Sequence, residues 1–231
     1  MVSNKDNFIL TRSCSLPIVF VAIRDPAEAR LRHVDDSLSL LPFLDACIAK
    51  QAEISPRAGT LKARVIDIGS GGGLPGMIIA IARPDWEVVL LDSLRKRCDF
   101  MVKAAGEVGV SNVSVVWRRA EEAGRDSELR ERFDLVIARA VAELRILSEL
   151  CLPFVTCGGH WVAPKGSDPN DEVVAARNAI SMLGGELIDV QPTASLTSDG
   201  NYRTAVVVRK IKTTPEKFPR RPGIPNKRPL N

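Results

Sequence analysis

Residues 65–76 read Val65-Ile66-Asp67-Ile68-Gly69-Ser70-Gly71-Gly72-Gly73-Leu74-Pro75-Gly76, an apolar run that passes directly into a cluster of glycines. The apolar run predicts a buried strand. The glycines permit positive φ angles and let the backbone approach a ligand closely. Pro75 is a favoured residue in the first turn of a helix, whose amides offer donors to an electronegative group. The segment therefore predicts a strand, a ligand-binding loop and a helix.

Short apolar runs and amphipathic stretches alternate along the chain on both sides of this segment. Seven runs predict strands, at residues 64–69, 86–92, 113–117, 133–140, 160–164, 186–190 and 202–211. Helical patterns cover residues 26–47, 75–82, 94–108, 141–150 and 171–183. Strands that alternate with helices predict a parallel sheet covered on both faces.

The last two strands break this rhythm, because residues 191–201 contain Pro192 and Gly200 and no helical pattern. These strands are predicted to form a hairpin, so that the final strand is antiparallel. We therefore predict an α/β protein with a Rossmann-like class I methyltransferase fold, a seven-stranded mostly parallel sheet with an antiparallel last strand and a helical N-terminal extension. A dinucleotide-binding sheet has six strands.

Three parts are predicted: an N-terminal helical extension (1–60), an S-adenosylmethionine-binding methyltransferase domain (61–211) and a basic, proline-rich C-terminal tail (212–231). Residues 51–60, with Pro56 and Gly59, are interpreted as a linker. From residue 210 to 231 there are seven Lys or Arg, five Pro and one acid, Glu216. Such a composition is typical either of a solvated, disordered terminus or of an arm that contacts phosphates.

Composition excludes several classes of protein. The chain has 231 residues, 45% of them hydrophobic and 26% charged, which suits one soluble α/β domain. No apolar run approaches the roughly 18 residues of a membrane span. Five cysteines without a Cys-x-x-Cys pair and two histidines argue against a disulfide framework and against a metal site. We expect no membrane, no metal and a monomer, in the bacterial cytoplasm or, for an organellar homologue, the plastid stroma.

Two carboxylates, Asp67 and Asp92, bear on which cofactor the glycine loop binds. Gly71-x-Gly73-x-x-Gly76 also satisfies the dinucleotide fingerprint, which is a weak signal alone. Asp67 is placed to hold a cationic amino group, directly or through water, whereas a pyrophosphate gains nothing from a carboxylate there. Asp92 ends the second strand, where an acid accepts hydrogen bonds from the ribose of either cofactor. Asp67 and the terminal hairpin favour S-adenosylmethionine. In the competing interpretation the two acids only cap a turn and a helix.

Basic residues supply candidate contacts to nucleic acid. Arg95, Lys96 and Arg97 open the helix after Asp92 and are either a solvated face or, with Arg118 and Arg119, a surface for rRNA phosphates. Arg220 and Arg221 of the tail are further candidates. The three tryptophans lie in strand patterns and are predicted to be core residues, so base stacking is not predicted.

Several sequence blocks, in order, resemble the small-subunit rRNA methyltransferase G family, also called glucose-inhibited division protein B. The resemblance spans residues 22–230 and rests on Arg32-His-Val-Asp-Asp-Ser-Leu38, Asp67–Gly76, Leu91-Asp-Ser-Leu-Arg-Lys-Arg97, Ile137-Ala-Arg-Ala140, Pro164-Lys-Gly166 and the tail from Lys217 to Leu230. It implies N7-methylation of a guanine in 16S-type rRNA with S-adenosylmethionine as cofactor and small-subunit rRNA or the 30S-type subunit as partner.

The motif and the resemblance together give the candidate site residues. Those expected to line the cofactor are Asp67, Gly69, Gly71, Gly73, Leu74, Asp92, Ala120, Glu121 and Arg139. Asp92 is expected to meet the ribose, and Glu121 to lie near the adenine. Arg139 and Lys165, at adjacent strand ends, are expected to orient the base or its flanking phosphates, although a salt bridge from Arg139 to Asp67 or Glu121 is an alternative. Two other functions stay open: a non-catalytic rRNA-binding assembly factor and an NAD(P)-dependent oxidoreductase.

Overall fold

The structure is a computed structural model that describes residues 30–54, 62–139, 142–197 and 199–231. A π-helical turn (Arg30–Asp35) precedes the helices α1 (Asp36–Leu38), α2 (Leu41–Ile54), α3 (Gly76–Ala82), α4 (Arg95–Val108), α5 (Ala120–Ala123), α6 (Leu144–Cys151), α7 (Asn170–Met182) and α8 (Ile224–Lys227). The strands are β1 (Arg64–Ile68), β2 (Glu87–Asp92), β3 (Val113–Trp117), β4 (Phe133–Ile137), β5 (Val155–Lys165), β6 (Gly185–Leu196) and β7 (Tyr202–Lys210).

The seven strands form one sheet in the order β3-β2-β1-β4-β5-β7-β6. β1 to β5 are parallel, whereas β7 is antiparallel to β5 and to β6. The predicted α/β fold with an antiparallel last strand is confirmed. After β1 the chain adds β2 and β3 on one side of β1, and it then crosses over to add β4 on the other side. The carboxyl ends of β1 and β4 therefore border the crevice where open α/β sheets bind ligands.

Alternation along the strands divides the core into one cluster on each face of the sheet. Val65 joins the cluster beneath α2, α3 and α4, and its neighbour Ile66 joins the cluster beneath α6 and α7. Successive side chains of a strand point to opposite faces, so a strand covered on both sides is buried at successive positions. This explains why β4 is buried at every position.

The C-terminal tail packs against the domain, so the interpretation of residues 212–231 as a disordered terminus is wrong. Phe218 and Leu230 are buried in the core cluster beneath α6 and α7. The Arg130 guanidinium donates to the carbonyl oxygens of Thr214 (2.7 Å), Phe218 (2.8 Å) and Gly124 (2.9 Å). An arginine carries five donors in a fixed fork, so one side chain holds several turns of the tail.

Two further expectations need correction, and a third falls partly outside the described residues. α2 continues to Ile54, so the predicted linker is wrong over residues 51–54, and residues 55–60 lie outside the described residues. The predicted start of the first helix, residues 26–29, also lies outside them. Trp117 was predicted to be a core residue but is 53% exposed, because β3 lies at the edge of the sheet and Trp117 is its last residue.

Candidate functional site

The loop after β1 is a tight turn held by its own backbone. Gly69, Gly71 and Gly73 have φ angles of 72°, 59° and 88°, which residues other than glycine rarely adopt. The N–H groups of Gly69 and Ser70 donate to Leu91 O, at 2.8 and 3.1 Å, and fasten the turn to β2. The N–H groups of Gly73 and Leu74 donate to Ser70 O, at 2.8 and 3.0 Å. Most of the amides that a phosphate would need are therefore occupied within the protein.

Asp67 lies at the carboxyl end of β1 and caps α3. Its Oδ2 accepts the N–H of Gly76 at 2.9 Å. Its Oδ1 is buried and has no hydrogen-bond partner among the described residues. Burial raises the pKa of Asp67 to about 6, although the Gly76 amide and the charge of Arg139 oppose the shift. The Gly76 N–H at the start of α3, which could have bound a phosphate, thus donates to the Asp67 carboxylate instead. The negative charge of this carboxylate disfavours a pyrophosphate and favours a cation.

Close contact at Gly76 keeps this carboxylate in place. A Cβ added to Gly76 would lie 2.4 Å from Leu90 Cδ2 and 2.8 Å from Asp67 Oδ2. Real Cβ contacts are not so short, so only glycine lets the helix begin beside Asp67. The third glycine of the fingerprint therefore serves helix–strand packing.

Asp92 ends β2 and is 3% exposed. Its Oδ2 accepts the Gly71 N–H at 2.9 Å, its Oδ1 accepts the Leu94 N–H at 2.8 Å, and Arg97 Nη1 lies 3.5 Å from Oδ2. A carboxylate has about four lone-pair directions, so these three donors leave room for one more. The same side chain is thus both a cap for α4 and a candidate ribose ligand.

Glu121 is buried at the start of α5, after β3. Its Oε1 accepts the N–H of Gly223 at 3.0 Å. Gly223 has a φ angle of 80°, and α8 begins at the next residue. The tail therefore reaches the side of the crevice where Ala120 and Glu121 lie, a contact that the sequence does not predict.

Arg139 follows β4 and pairs with the N-terminal extension. Its Nη1 donates to Asp36 Oδ2 at 2.8 Å, and Arg203 Nε of β7 lies 3.2 Å from Asp36 Oδ1. The expected alternative, a salt bridge to Asp67 or Glu121, is wrong, since the partner is a carboxylate 103 residues earlier. Asp36 belongs to the block Arg32–Leu38, which the resemblance singled out without a role.

Lys165 ends β5 and is 10% exposed. Its Nζ donates to Ala142 O at 2.9 Å and lies 2.7 Å from Glu172 Oε2. Glu172 in turn accepts the Leu144 N–H at 3.0 Å. The structure therefore ties Lys165 to the starts of α6 and α7, and two of its three donors are occupied.

The basic residues expected to meet RNA fall into two groups. Arg95, Lys96 and Arg97 lie in the first turn of α4, and the first two are exposed. Arg221 is exposed as well. Arg220 has a structural partner, because its guanidinium pairs with the buried Glu149 at 2.6 Å and donates to Arg228 O at 2.7 Å. Its phosphate contact stays a prediction.

His160 is not placed as an acid–base catalyst for hydride transfer. His160 lies within β5 and is 2% exposed, and burial lowers its pKa to about 4. His33 lies on the π-helical turn. Within the described ranges no group of acidic, histidine and cysteine side chains is arranged to hold a metal ion, and no helix is both long and apolar enough to cross a membrane.

The strand order, the antiparallel β7 and a capping carboxylate after β1 together define a Rossmann-like class I methyltransferase. Solved structures support this fold. A mutant of the 16S rRNA (adenine(1408)-N(1))-methyltransferase from Catenulisporales acidiphilia matches with a TM-score of 0.55 and 18% identity, over 74% of this chain and 92% of that chain. The antibiotic-resistance methyltransferase Kmr matches with a TM-score of 0.54 and 17% identity, over 71% and 94% of the two chains.

The family model described as rRNA small subunit methyltransferase G matches residues 17–195, and the chain belongs to this family. Its relatives include the ribosomal RNA small subunit methyltransferase G of Moorella thermoacetica, 43% identical over 209 residues, which are 90% of this chain and 81% of that protein. That of Desulforamulus reducens is 40% identical over 214 residues, 92% of this chain and 83% of that protein. The predicted family and enzyme class are confirmed, and neither the oxidoreductase nor the non-catalytic factor is favoured.

Proposed function

We propose that this protein transfers the methyl group of S-adenosylmethionine to N7 of a guanine in 16S-type rRNA of the small ribosomal subunit. The observation that carries the cofactor assignment is Asp67, a buried carboxylate with one oxygen on Gly76 N–H and the other without a partner among the described residues. Family membership supports the rRNA substrate. The resemblance to this family supports the guanine N7 position and the cytoplasm, or an organellar stroma, as the compartment.

The residues of the crevice fit this cofactor. S-adenosylmethionine carries an α-ammonium and a sulfonium, and the unpartnered Oδ1 of Asp67 offers an acceptor and a negative charge to the first. Asp92 has capacity for a ribose hydroxyl, and Ala120 and Glu121 flank the adenine in our assignment. Gly69, Gly71, Gly73 and Leu74 form the floor of the site. A pyrophosphate would instead face the Asp67 carboxylate and amides that are already hydrogen bonded.

The chemistry asks little of acid–base groups. The bound cofactor supplies an electrophilic methyl group on sulfur. Guanine N7 has an exposed lone pair and no proton, so no general base is needed. Rate enhancement then comes from positioning and from electrostatics. We assign Arg139 and Lys165 to orient the guanine, whose O6 accepts hydrogen bonds while the N7 lone pair stays free to attack the methyl group, or to hold the neighbouring phosphates.

Asp36 and Glu172 act in this assignment as positioning residues. Each pairs with the cation and so restricts it to one geometry at the strand ends. Arg139 has five donors, and among the described residues one of them is hydrogen bonded to Asp36, so we assign the others to the substrate. A target base within folded RNA must be turned out of its stack to reach the crevice.

The test is methyl transfer from labelled S-adenosylmethionine to 30S subunits and to naked 16S-type rRNA, followed by nucleoside analysis. We expect label in 7-methylguanosine, and Arg139→Ala should lower turnover by more than tenfold while the protein stays folded. Lys103→Ala, an exposed charge within α4, is the matched control. Label in another nucleoside would refute the N7 assignment, and cofactor binding without transfer would favour a binding-only assembly factor. Full activity of Arg139→Ala would refute its role.

A further inference from the structure

The edge of the sheet presents one aromatic side chain to solvent. Trp117 is 53% exposed, whereas Trp86 and Trp161 are 5% and 0% exposed. These are all three tryptophans of the chain. Tryptophan has one of the largest apolar surfaces of any side chain. Exposing this surface to water is unfavourable in free energy, so tryptophans are usually packed against other residues. An exposed tryptophan in a fixed pose is therefore a candidate for binding.

Two neighbours hold the indole ring. Its Nε1–H donates to Ser93 O at 3.0 Å. The guanidinium carbon of Arg95 lies 5.0 Å from the ring centroid, within the range of a cation–π contact. We call Trp117 and Arg95 the stacked pair. Because the ring is held before any ligand arrives, binding to it costs little additional side-chain entropy.

Lys96 and Arg119 flank the stacked pair in sequence, and Arg95 itself forms an exposed ion pair with Asp99, whose Oδ2 lies 3.9 Å from Arg95 Nε. Lys96 and Arg119 are exposed and form no ion pair with any residue that the structure describes, whereas Arg118 pairs with Asp126. The stacked pair also adjoins the cofactor crevice, since Trp117 is the register partner of Asp92 in the β2–β3 pairing. An aromatic surface with unpaired cations beside it matches the bases and phosphates of an unpaired nucleic acid strand.

We propose that an unpaired nucleotide of the substrate RNA stacks on Trp117 and Arg95 while Lys96 and Arg119 contact its phosphates. The proposal rests on the proposed function, because it assumes that RNA reaches this edge of the crevice. Indole and guanidinium planes both stack on bases, and neither selects one base strongly. The stacked pair thus supplies affinity for single-stranded RNA, and the crevice supplies the choice of target.

The experiment uses the exposed ring as its own reporter. Acrylamide quenching of tryptophan fluorescence reports mainly on Trp117, because the other two tryptophans are buried. We expect naked 16S-type rRNA to protect wild-type protein from quenching. Trp117→Ala should weaken binding of the same RNA roughly tenfold, and Trp117→Phe should retain most of the affinity. S-adenosylmethionine affinity and thermal stability, measured on each variant, should stay near wild type.

Salt titrations separate stacking from charge. Trp117→Ala should leave the salt dependence of RNA binding unchanged, while Lys96→Ala should reduce its slope by about one. Lys103→Ala, on the same helix but paired with Glu107, serves as the control for a lost charge.

Unchanged quenching in the RNA complex, or wild-type RNA affinity of Trp117→Ala, would overturn the proposal even in an active methyltransferase. The second result would also follow if a protein, and not RNA, occupied this surface. The proposed function is tested separately: absence of 7-methylguanosine from the wild-type reaction would refute it.

Discussion

The backbone N–H of Gly223 donates a hydrogen bond of 3.0 Å to the Glu121 carboxylate and joins segments 102 residues apart. Glu121→Ala removes the acceptor, so we expect the free energy of unfolding to fall by about 1 kcal/mol. The affinity for S-adenosylmethionine should fall as well, because the acid flanks the adenine in our assignment. Glu121→Gln keeps an oxygen for Gly223 and should retain the stability. Chemical unfolding and calorimetric titration measure the two effects, and equal stability of all three proteins would refute the coupling.

Asp67→Asn tests the cation site. Without the carboxylate charge, the affinity for S-adenosylmethionine should fall by roughly ten- to a hundred-fold at pH 7.5. S-adenosylhomocysteine, which retains the ammonium and lacks the sulfonium, should lose affinity to a similar extent if the ammonium is the group that Asp67 binds. A variant that binds both ligands as well as the wild type does would contradict the assignment.

The same residue predicts how stability depends on pH. Its pKa in the folded protein is about 6, above the ordinary value of 3.8, because burial disfavours the charged form. The folded state therefore holds this proton more tightly than the unfolded state, and the stability that the proton provides is lost as pH rises from about 4 to 6. The loss is on the order of 3 kcal/mol. Denaturant titrations across this window should show a smaller decrease in Asp67→Asn than in wild type.

Gly76→Ala and Gly106→Ala form a matched pair. At Gly76 the new methyl group would strike Leu90 and Asp67, so we expect destabilisation on the order of 1–3 kcal/mol together with weaker cofactor binding. At Gly106, in α4, nothing lies within 4 Å of an added Cβ, and the change should stabilise the protein by about 0.5–1 kcal/mol. Thermal unfolding distinguishes the two, and similar shifts in both variants would argue against the close contact at Gly76.

Arg220→Ala and Arg221→Ala separate structure from RNA binding. Loss of Arg220 leaves Glu149, which is 1% exposed, without its cation, so stability should fall by about 3 kcal/mol. Arg221 is exposed, and its loss should change stability by less than about 0.5 kcal/mol while it weakens rRNA binding in a salt-dependent way. Unfolding curves and RNA titrations on both variants decide the matter. A stable Arg220→Ala protein that loses RNA affinity would instead support an RNA contact for Arg220.

The sequence predicted those parts of the fold that depend on the residues of one short segment. Residues 65–76 indicated a strand, a glycine turn and a helix because apolar periodicity and positive φ angles are properties of short segments. The absence of a helical pattern in residues 191–201 indicated the β6–β7 hairpin. Asp67 and Asp92 were found because they lie at the carboxyl ends of apolar runs that end at the same edge of the sheet.

Long-range contacts could not be predicted from the sequence, because no local pattern indicates which distant residue a side chain contacts. The partner of Arg139 is Asp36, and the partner of Arg220 is Glu149, at separations of 103 and 71 residues. The composition of the tail looked like that of a solvated segment, since cations and prolines are usually exposed. In this protein Arg130 binds the carbonyl oxygens of the tail, and Phe218 supplies its apolar anchor. Trp117 was assigned to the core because an apolar pattern does not reveal which strand lies at the edge.

The pairing of Glu149 with Arg220 has a consequence for how the protein is made. A growing chain leaves the ribosome in sequence order, so the α6 carboxylate emerges 71 residues before the guanidinium that neutralises it. All seven strands precede Arg220 as well. The sheet can pair while that acid is still hydrated, and the buried carboxylate gains its cation only after residue 220 has been added. The packing of α6 is therefore completed after synthesis of the strands that it covers.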